Sequence, residues 1–283
     1  MNLLDSNDQE CAPTDLIWID SHCHFDFPQW HSQRDEHWQL AQTLGVQSLI
    51  IPGITIEQNQ QVAQFCADTP WQFALGLHPY FLAQHGDNDL DALERLLSRT
   101  VESQQSPAIA VGEIGLDWVL AKQADDPDAA RAQQWQLFEA QVVLAERYQL
   151  PLILHIRGCH DQAASWLRRR RFSFGGIVHA FSGSEQQAKA WLDLGFKLGI
   201  GGAMTFPRAN KLRNTISSLP LSAWVLETDA PDMRPAFFRQ GVSSPVAIPL
   251  YGAILATLKQ VSLMEVSVQN QNNLLSLFPG LKT

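Results

Sequence analysis

Eight short apolar runs alternate with longer amphipathic stretches along the chain: LIWID (16–20), VQSLIIPG (46–53), FALGLHP (73–79), AIAVGE (108–113), LILH (152–155), GIVHAF (176–181), FKLGIGG (196–202) and WVLETD (224–229). The stretches between them, such as EQNQQVAQFCAD and DAARAQQWQLFEAQVVLAERY, carry apolar residues three and four apart, the spacing of a helix with one buried face. Short strands buried on both faces, each followed by a helix, predict βα units around a parallel sheet. Eight such units, closed by the helical stretches VAIPLYGAILATLKQ and MEVSVQNQNNLLSLF, predict a single-domain α/β fold, a (β/α)8 TIM barrel over 16–283, after a short polar tail over 1–15. The competing architecture is a doubly wound open sheet. That fold calls for a glycine-rich phosphate loop after strand one, where this chain has DSHCH.

Two stretches depart from the barrel rhythm, LDWVLAKQADDPD at 116–128 and DMRPAFFRQGVSSP at 232–245, and both are expected at strand C-terminal ends, where barrel active sites are built. The basic run LRRRRF at 167–172 reads as the solvated C-terminal end of a helix, favoured by the helix dipole.

The chain has 283 residues, 45% of them hydrophobic and 17% charged, which excludes a disordered protein and leaves one large domain or two. A net charge of -9 argues against nucleic acid held on a broad basic face, but not against a polyanion gripped locally through metal ions. Cys11, Cys23, Cys66 and Cys159 form no CxxC pair, so a reduced, cytoplasmic compartment is expected. No run approaches the roughly 18 apolar residues of a membrane span, and no membrane partner is expected.

Chemistry enters through the placement of ionisable residues at strand ends. His22 and His24 follow strand one, Glu113 ends strand four, His155 strand five, His179 strand six and Asp229 strand eight, so all six are expected in one mouth. His22 and His24 are two apart, and in an extended chain their side chains share one face and reach one ion. Glu113 can bridge two cations with its two oxygens. Glu227, two residues before Asp229, is expected as a supporting partner rather than a ligand. Four imidazoles and two carboxylates suffice for two divalent ions with open positions, an arrangement suited to hydrolysis.

Six ordered stretches, IDSHCHFD (19–26), GLHPY (76–80), GEIGLD (112–117), PLILHIRGCHD (151–161), HAFSG (179–183) and ETDAP (227–231), resemble the signatures of the TatD-like metal-dependent deoxyribonucleases, TIM-barrel members of a wider amidohydrolase-like group. The resemblance implies metal binding by His22, His24, Glu113, His155, His179 and Asp229, with Glu113 bridging and Asp229 also orienting or deprotonating the attacking water. It implies that His78 and Arg157 lie near the substrate phosphate; by themselves they read as a turn residue before Pro79 and a helix-entry salt bridge. Cys159, Trp18, Trp224 and the segment after ETDAP depart from the family pattern.

The function implied is a 3′–5′ exonuclease on single-stranded DNA ends, using two divalent metal ions (Zn, Mg or Mn) and binding DNA weakly as a monomer. The alternatives are a small phosphate-ester hydrolase or another amidohydrolase-like hydrolase, and a non-catalytic binding protein. Glu113 stands where related amide hydrolases carry a bridging lysine, which disfavours the amide version.

Overall fold

The structure, a computed structural model, describes residues 16–101, 103 and 107–281. The tail expected over 1–15, with Cys11, lies outside the described residues. The eight expected strands are present: β1 (Trp18–Asp20), β2 (Val46–Ile51), β3 (Gln72–Leu75), β4 (Ala110–Asp117), β5 (Leu152–Arg157), β6 (Gly176–His179), β7 (Phe196–Ile200) and β8 (Trp224–Leu226). They pair in parallel and in chain order from β1 to β8.

Among the described residues ten α-helices run between and after the strands: α1 (Arg34–Thr43), α2 (Ile56–Cys66), α3 (Asp89–Val101), α4 (Trp118–Ala121), α5 (Pro127–Tyr148), α6 (His160–Arg170), α7 (Glu185–Leu192), α8 (Asn210–Ser218), α9 (Ile248–Lys259) and α10 (Leu263–Leu277). Their starts follow from local chemistry. The Asp126 carboxylate accepts from the N–H groups of Asp128 and Ala129 ahead of Pro127, and Ser184 and Ser262 form reciprocal capping boxes with Gln187 and Glu265.

The barrel closes between β8 and β1 without a regular ladder. Ser21 N–H donates to the Leu226 carbonyl at 3.0 Å and His24 N–H to the Ala230 carbonyl at 2.8 Å. Below them Asn270 of α10 supplies the missing sheet partners, accepting from Leu226 N–H at 2.9 Å and donating to the Ile19 carbonyl at 3.2 Å. Asp20 stitches the seam from above, with Thr228 N–H at 2.9 Å and the Thr228 hydroxyl at 2.5 Å.

Inside the barrel, Ile19, Ile50, Ala74, Ala110, Ile153, Ile177 and Val225 form a buried apolar layer, sealed from below by Leu274, Phe278 and Leu281. The outward faces of the strands pack against the helices. Trp18, bulkier than the aliphatic residue expected there, is accommodated by Gly252 of α9, where an added Cβ would lie 2.4 Å from the indole ring. The arginines at the end of α6 lie at the floor end of the barrel, away from the strand C-termini, and Arg170 pairs with Glu146 at 2.6 Å.

Of the strand boundaries that differ from the sequence expectation, four bear on the site. β4 does not end at Glu113 but continues to Asp117, and β5 continues past His155 to Arg157, with Asp117 and Arg157 paired in register. Charged residues there suggest a loop, yet the Arg157–Asp117 ion pair at 3.0 Å lets the ladder run on. β3 stops at Leu75 and β8 at Leu226, short of 79 and 229, because the chain leaves the sheet to carry His78 and Asp229 around the mouth.

Candidate metal centre

The inward positions of a strand recur every second residue, so the position above each apolar floor residue faces the mouth. On β5 that step leads from Ile153 to His155, and on β6 from Ile177 to His179. On β8 it leads from Val225 to Glu227, just beyond the last strand residue. β7 contributes Gly199, where an added Cβ would sit 2.1 Å from a Glu227 carboxylate oxygen. The glycine leaves room for that carboxylate.

Glu113 owes its aim to a bulge. Between Val111 and Ile114 the β4–β5 register slips by one residue, which turns this stretch of β4 toward the mouth. The carboxylate is 2% exposed and its two oxygens face different imidazoles. Oε2 lies 3.0 Å from His22 Nε2 and 3.5 Å from His24 Nε2. Oε1 lies 3.1 Å from His155 Nδ1, 3.1 Å from His78 Nε2 and 3.6 Å from His179 Nε2. Asp229 adds Oδ1 at 3.6 Å from both His22 Nε2 and His24 Nε2, and Oδ2 at 3.8 Å from His179 Nε2. The six residues expected to bind metal therefore converge, and both oxygens of Glu113 are engaged.

The donor chemistry fits divalent cations. Nε2 of His22, although 3.0 Å from Glu113 Oε2, is not aligned for a hydrogen bond, and Nδ1 of His22 and of His24 is buried without a partner among the described residues. Electrostatics point the same way. Burial alone would lower the His179 pKa, but Glu227, Asp229 and Glu113 outweigh it and raise it to about 10. His24 and His155 are likewise raised against their burial by neighbouring carboxylates. A pocket that drives protons onto its imidazoles is one in which carboxylate charge exceeds the cations at hand. His22, stacked 3.8 Å from the His179 ring, goes the other way: burial, then the His179 charge, lowers its pKa to about 4, which keeps it a neutral donor.

Two of the imidazoles are held from behind. His155 Nε2 lies 3.1 Å from Asp117 Oδ2, and His179 Nδ1 lies 3.0 Å from Glu227 Oε1. Glu227 is itself fixed by Ala180 N–H at 2.6 Å. Carboxylates behind metal-binding histidines orient the ring and raise its basicity. Glu227 stands behind the His179 ring, and its carboxylate also lies within 4.8 Å of donor atoms of His22 and His179.

His78 and Arg157 occupy different settings. His78 accepts from Tyr80 N–H through Nδ1 at 3.0 Å, so the neutral ring carries its proton on Nε2, the atom facing Glu113 and the cavity. Burial lowers its pKa to about 4 and keeps the ring neutral. Nε2 of His78 is therefore a donor rather than a free lone pair. Arg157 is 56% exposed at the rim and tied to Asp117, and it does not line the cavity above the cluster, which measures about 250 Å³ and is walled by Phe27, Ile54, Tyr80, Phe81 and Asp232 beside the ligand set.

Asp117 is the site residue that the sequence reading passed over, although GEIGLD contains it. Three side-chain amides were also missed. Gln134 and Gln141 of α5 each make two hydrogen bonds to one backbone unit, at Asp117 and at Leu77 beside His78, and Asn59 of α2 does the same at Gly76. Their signal was available: Gln134 and Gln141 sit seven apart with Phe138 on the buried face of α5, where apolar residues are the rule. Cys159, by contrast, is buried with its thiol near the Leu116 carbonyl at 3.6 Å, and burial pushes its pKa up to about 12, so it is a packing residue.

Comparison with known proteins decides the family. The family model described as TatD related DNase matches residues 19–279. The chain belongs to the TatD family. An uncharacterized metal-dependent hydrolase of Escherichia coli K12, YjjV, is 41% identical over 262 residues, 92% of this chain and 97% of the relative. The crystal structure of YjjV, described as a TatD homolog, superposes with a TM-score of 0.85, covering 93% of this chain and 98% of that one at 40% identity. A 3′–5′ ssDNA/RNA exonuclease TatD of Pantoea sp. At-9b is 32% identical over 215 residues, 73% of this chain and 76% of the relative. The protein is thus a metal-dependent hydrolase of the TatD family on a TIM barrel, as the strand pattern and the six motifs led one to expect. Among the described residues no single helix is long and apolar enough to cross a membrane.

Proposed function

We propose that the chain is a two-metal phosphodiesterase that trims single-stranded DNA ends in the 3′–5′ direction. The observation that carries this reading is the divided Glu113 carboxylate, with His22 and His24 around Oε2 and His155 and His179 around Oε1. His22, His24, Glu113 and Asp229 would hold one cation, and Glu113, His155 and His179 the other; Zn, Mg and Mn all suit the donors. Bound divalent cations would supply Lewis acidity toward phosphoryl oxygens and acidify water at the mouth.

The remaining work falls to side chains. Asp229, 15% exposed against 2% for Glu113 and Glu227, is the cluster carboxylate most open to the cavity. Burial, partly offset by His179 and His24, raises its pKa to about 6, which suits a base that takes a proton from the attacking water near neutral pH. His78 Nε2–H donates to a phosphoryl oxygen, the role its tautomer supports. Arg157, anchored by Asp117, meets the phosphate from the rim. Every donor comes from one chain, so a monomer carries a complete site. Buried Cys23, Cys66 and Cys159 suit the reducing cytoplasm.

The cavity of about 250 Å³ also favours a second reading, hydrolysis of a small phosphate ester. Turnover of a 5′-labelled single-stranded oligonucleotide, the matching duplex and a small aryl phosphate, with and without chelator, separates the two. Shortening of the single strand that stops with chelator is expected. Turnover of the aryl phosphate alone would overturn the nuclease reading. With a net charge of -9, few phosphate contacts are available, so a shallow salt dependence should accompany cleavage.

A further inference from the structure

Beside the cavity over the cluster lies a larger groove of about 1040 Å³, between the loop after β1 and helix α2. Phe27, Ile54 and Phe81 line both spaces, so the groove adjoins the site. Its walls are tied to the site histidines: the Phe27 ring stacks on His24 with centroids 4.6 Å apart, and Phe81 meets His78 edge-on at 6.0 Å. On the far side Phe65 lies beneath the Arg34 guanidinium, 4.8 Å from its ring centroid. Arg34 in turn donates to the carbonyls of Phe25, Asp26 and Phe27, which fixes the loop that carries the Phe27 ring.

Size and charge limit what can lie there. Pockets that bury most of a small ligand run about 300–1,000 Å³. The space above the cluster is below that range, whereas the groove is at its upper end. The groove's acidic side chains, Asp26 and Glu57, outnumber its one guanidinium, and no lysine lines it. A run of phosphates is poorly served by such walls. A flat, uncharged ring is better served, by the Phe27 ring and by the planar guanidinium of Arg34.

We infer that this groove is a nucleobase subsite: while the scissile phosphate sits over the cluster, the base of a flanking nucleotide lies between Phe27 and the Arg34 guanidinium that covers Phe65. The inference rests on the nuclease reading above. It also reconciles a small acidic cavity with a nucleic-acid substrate, since stacking supplies the grip that phosphate-binding charges do not. The site then prefers single strands because a base paired in a duplex is not free to turn into the groove.

The test uses the exposed rim position Gln61, which touches no site residue. Gln61→Trp fills the groove, and its KM for a single-stranded oligonucleotide should rise about ten-fold, the scale of one lost stacking contact, with kcat and the turnover of a small aryl phosphodiester unchanged. Wild-type protein given an oligonucleotide abasic at its last two nucleotides should show the same rise, and the variant should show no further loss on it. Anisotropy of a labelled phosphorothioate oligonucleotide in chelator gives the same comparison without turnover. Equal KM values for the intact and abasic strands, or a variant that impairs both substrates alike, would overturn the base subsite while leaving the nuclease reading standing. A wild-type protein that cleaves the aryl diester but no oligonucleotide would overturn both.

Discussion

The floor and the mouth of the barrel are built from the same strands, two residues apart, and they solve opposite problems. At the floor Ile153, Ile177 and Val225 meet Leu274 and Phe278 in a dry apolar layer. One inward step higher, His155 and His179 sit among buried carboxylates that raise their pKa values against burial. Burial stabilises the first layer and costs the second, where clustered charges need partners of opposite sign. The floor therefore governs folding, whereas the mouth is held ready by its surroundings at the cost of electrostatic balance. Substitutions at the two levels should separate stability from activity.

The largest effect is expected at Asp229. Asp229→Asn should lower kcat by about 10²–10⁴ while the protein remains folded, the usual range for loss of a positioned base. Because the Asp229 pKa is raised to about 6 and the ionised form is the active one, wild-type activity should fall as pH drops through about 6. A bound cation favours the carboxylate and moves that limb lower, never higher. An acid limb centred above 7, or one that survives in the asparagine variant, would remove Asp229 from the role.

An intermediate effect is expected one shell out. Asp117→Asn and Glu227→Gln keep the shapes behind His155 and His179 but weaken their hold on the rings, and should each cost about 10–100-fold in metal affinity or activity. Competition with a chromogenic chelator reads the affinity directly. Unchanged affinity in both variants would show that the mouth needs no orienting carboxylates.

The smallest effect on activity is expected from the floor. Ile153→Ala should cost about 2–5 kcal/mol in a denaturant titration, as cavity-forming core substitutions do. The folded fraction should keep its turnover. If Ile153→Ala instead lost activity without losing stability, the division between floor and mouth would be wrong.

The same division explains what the sequence revealed. Apolar runs leading into His or carboxylate announced both the barrel and the six expected ligands; for His155 and His179 the reason is that the run is the floor and the residue one inward step above it the mouth. Glu113 was found for a different reason than the one given: it lies inside β4 and is aimed by a bulge, which no run of residue types discloses. Asp117 stayed hidden because a charge at the end of GEIGLD reads as a loop, while its ion pair with Arg157 extends the sheet. The amides of Gln134, Gln141 and Asn59 were obscured because periodicity records which face is buried and not which backbone groups need partners. Asn270 is a further case, since nothing local shows that β1 and β8 meet without a ladder.

The most direct test of a mouth built around cations is the metal content of the purified chain, measured by elemental analysis after stripping and reloading, for wild type and for Glu113→Gln. Two divalent ions per wild-type chain, fewer in the variant, and hydrolysis that vanishes with chelator and returns on add-back are the expected results. A stripped protein that hydrolyses at the full rate, or a Glu113→Gln chain that still binds two ions, would contradict the bridging carboxylate at the centre of the site.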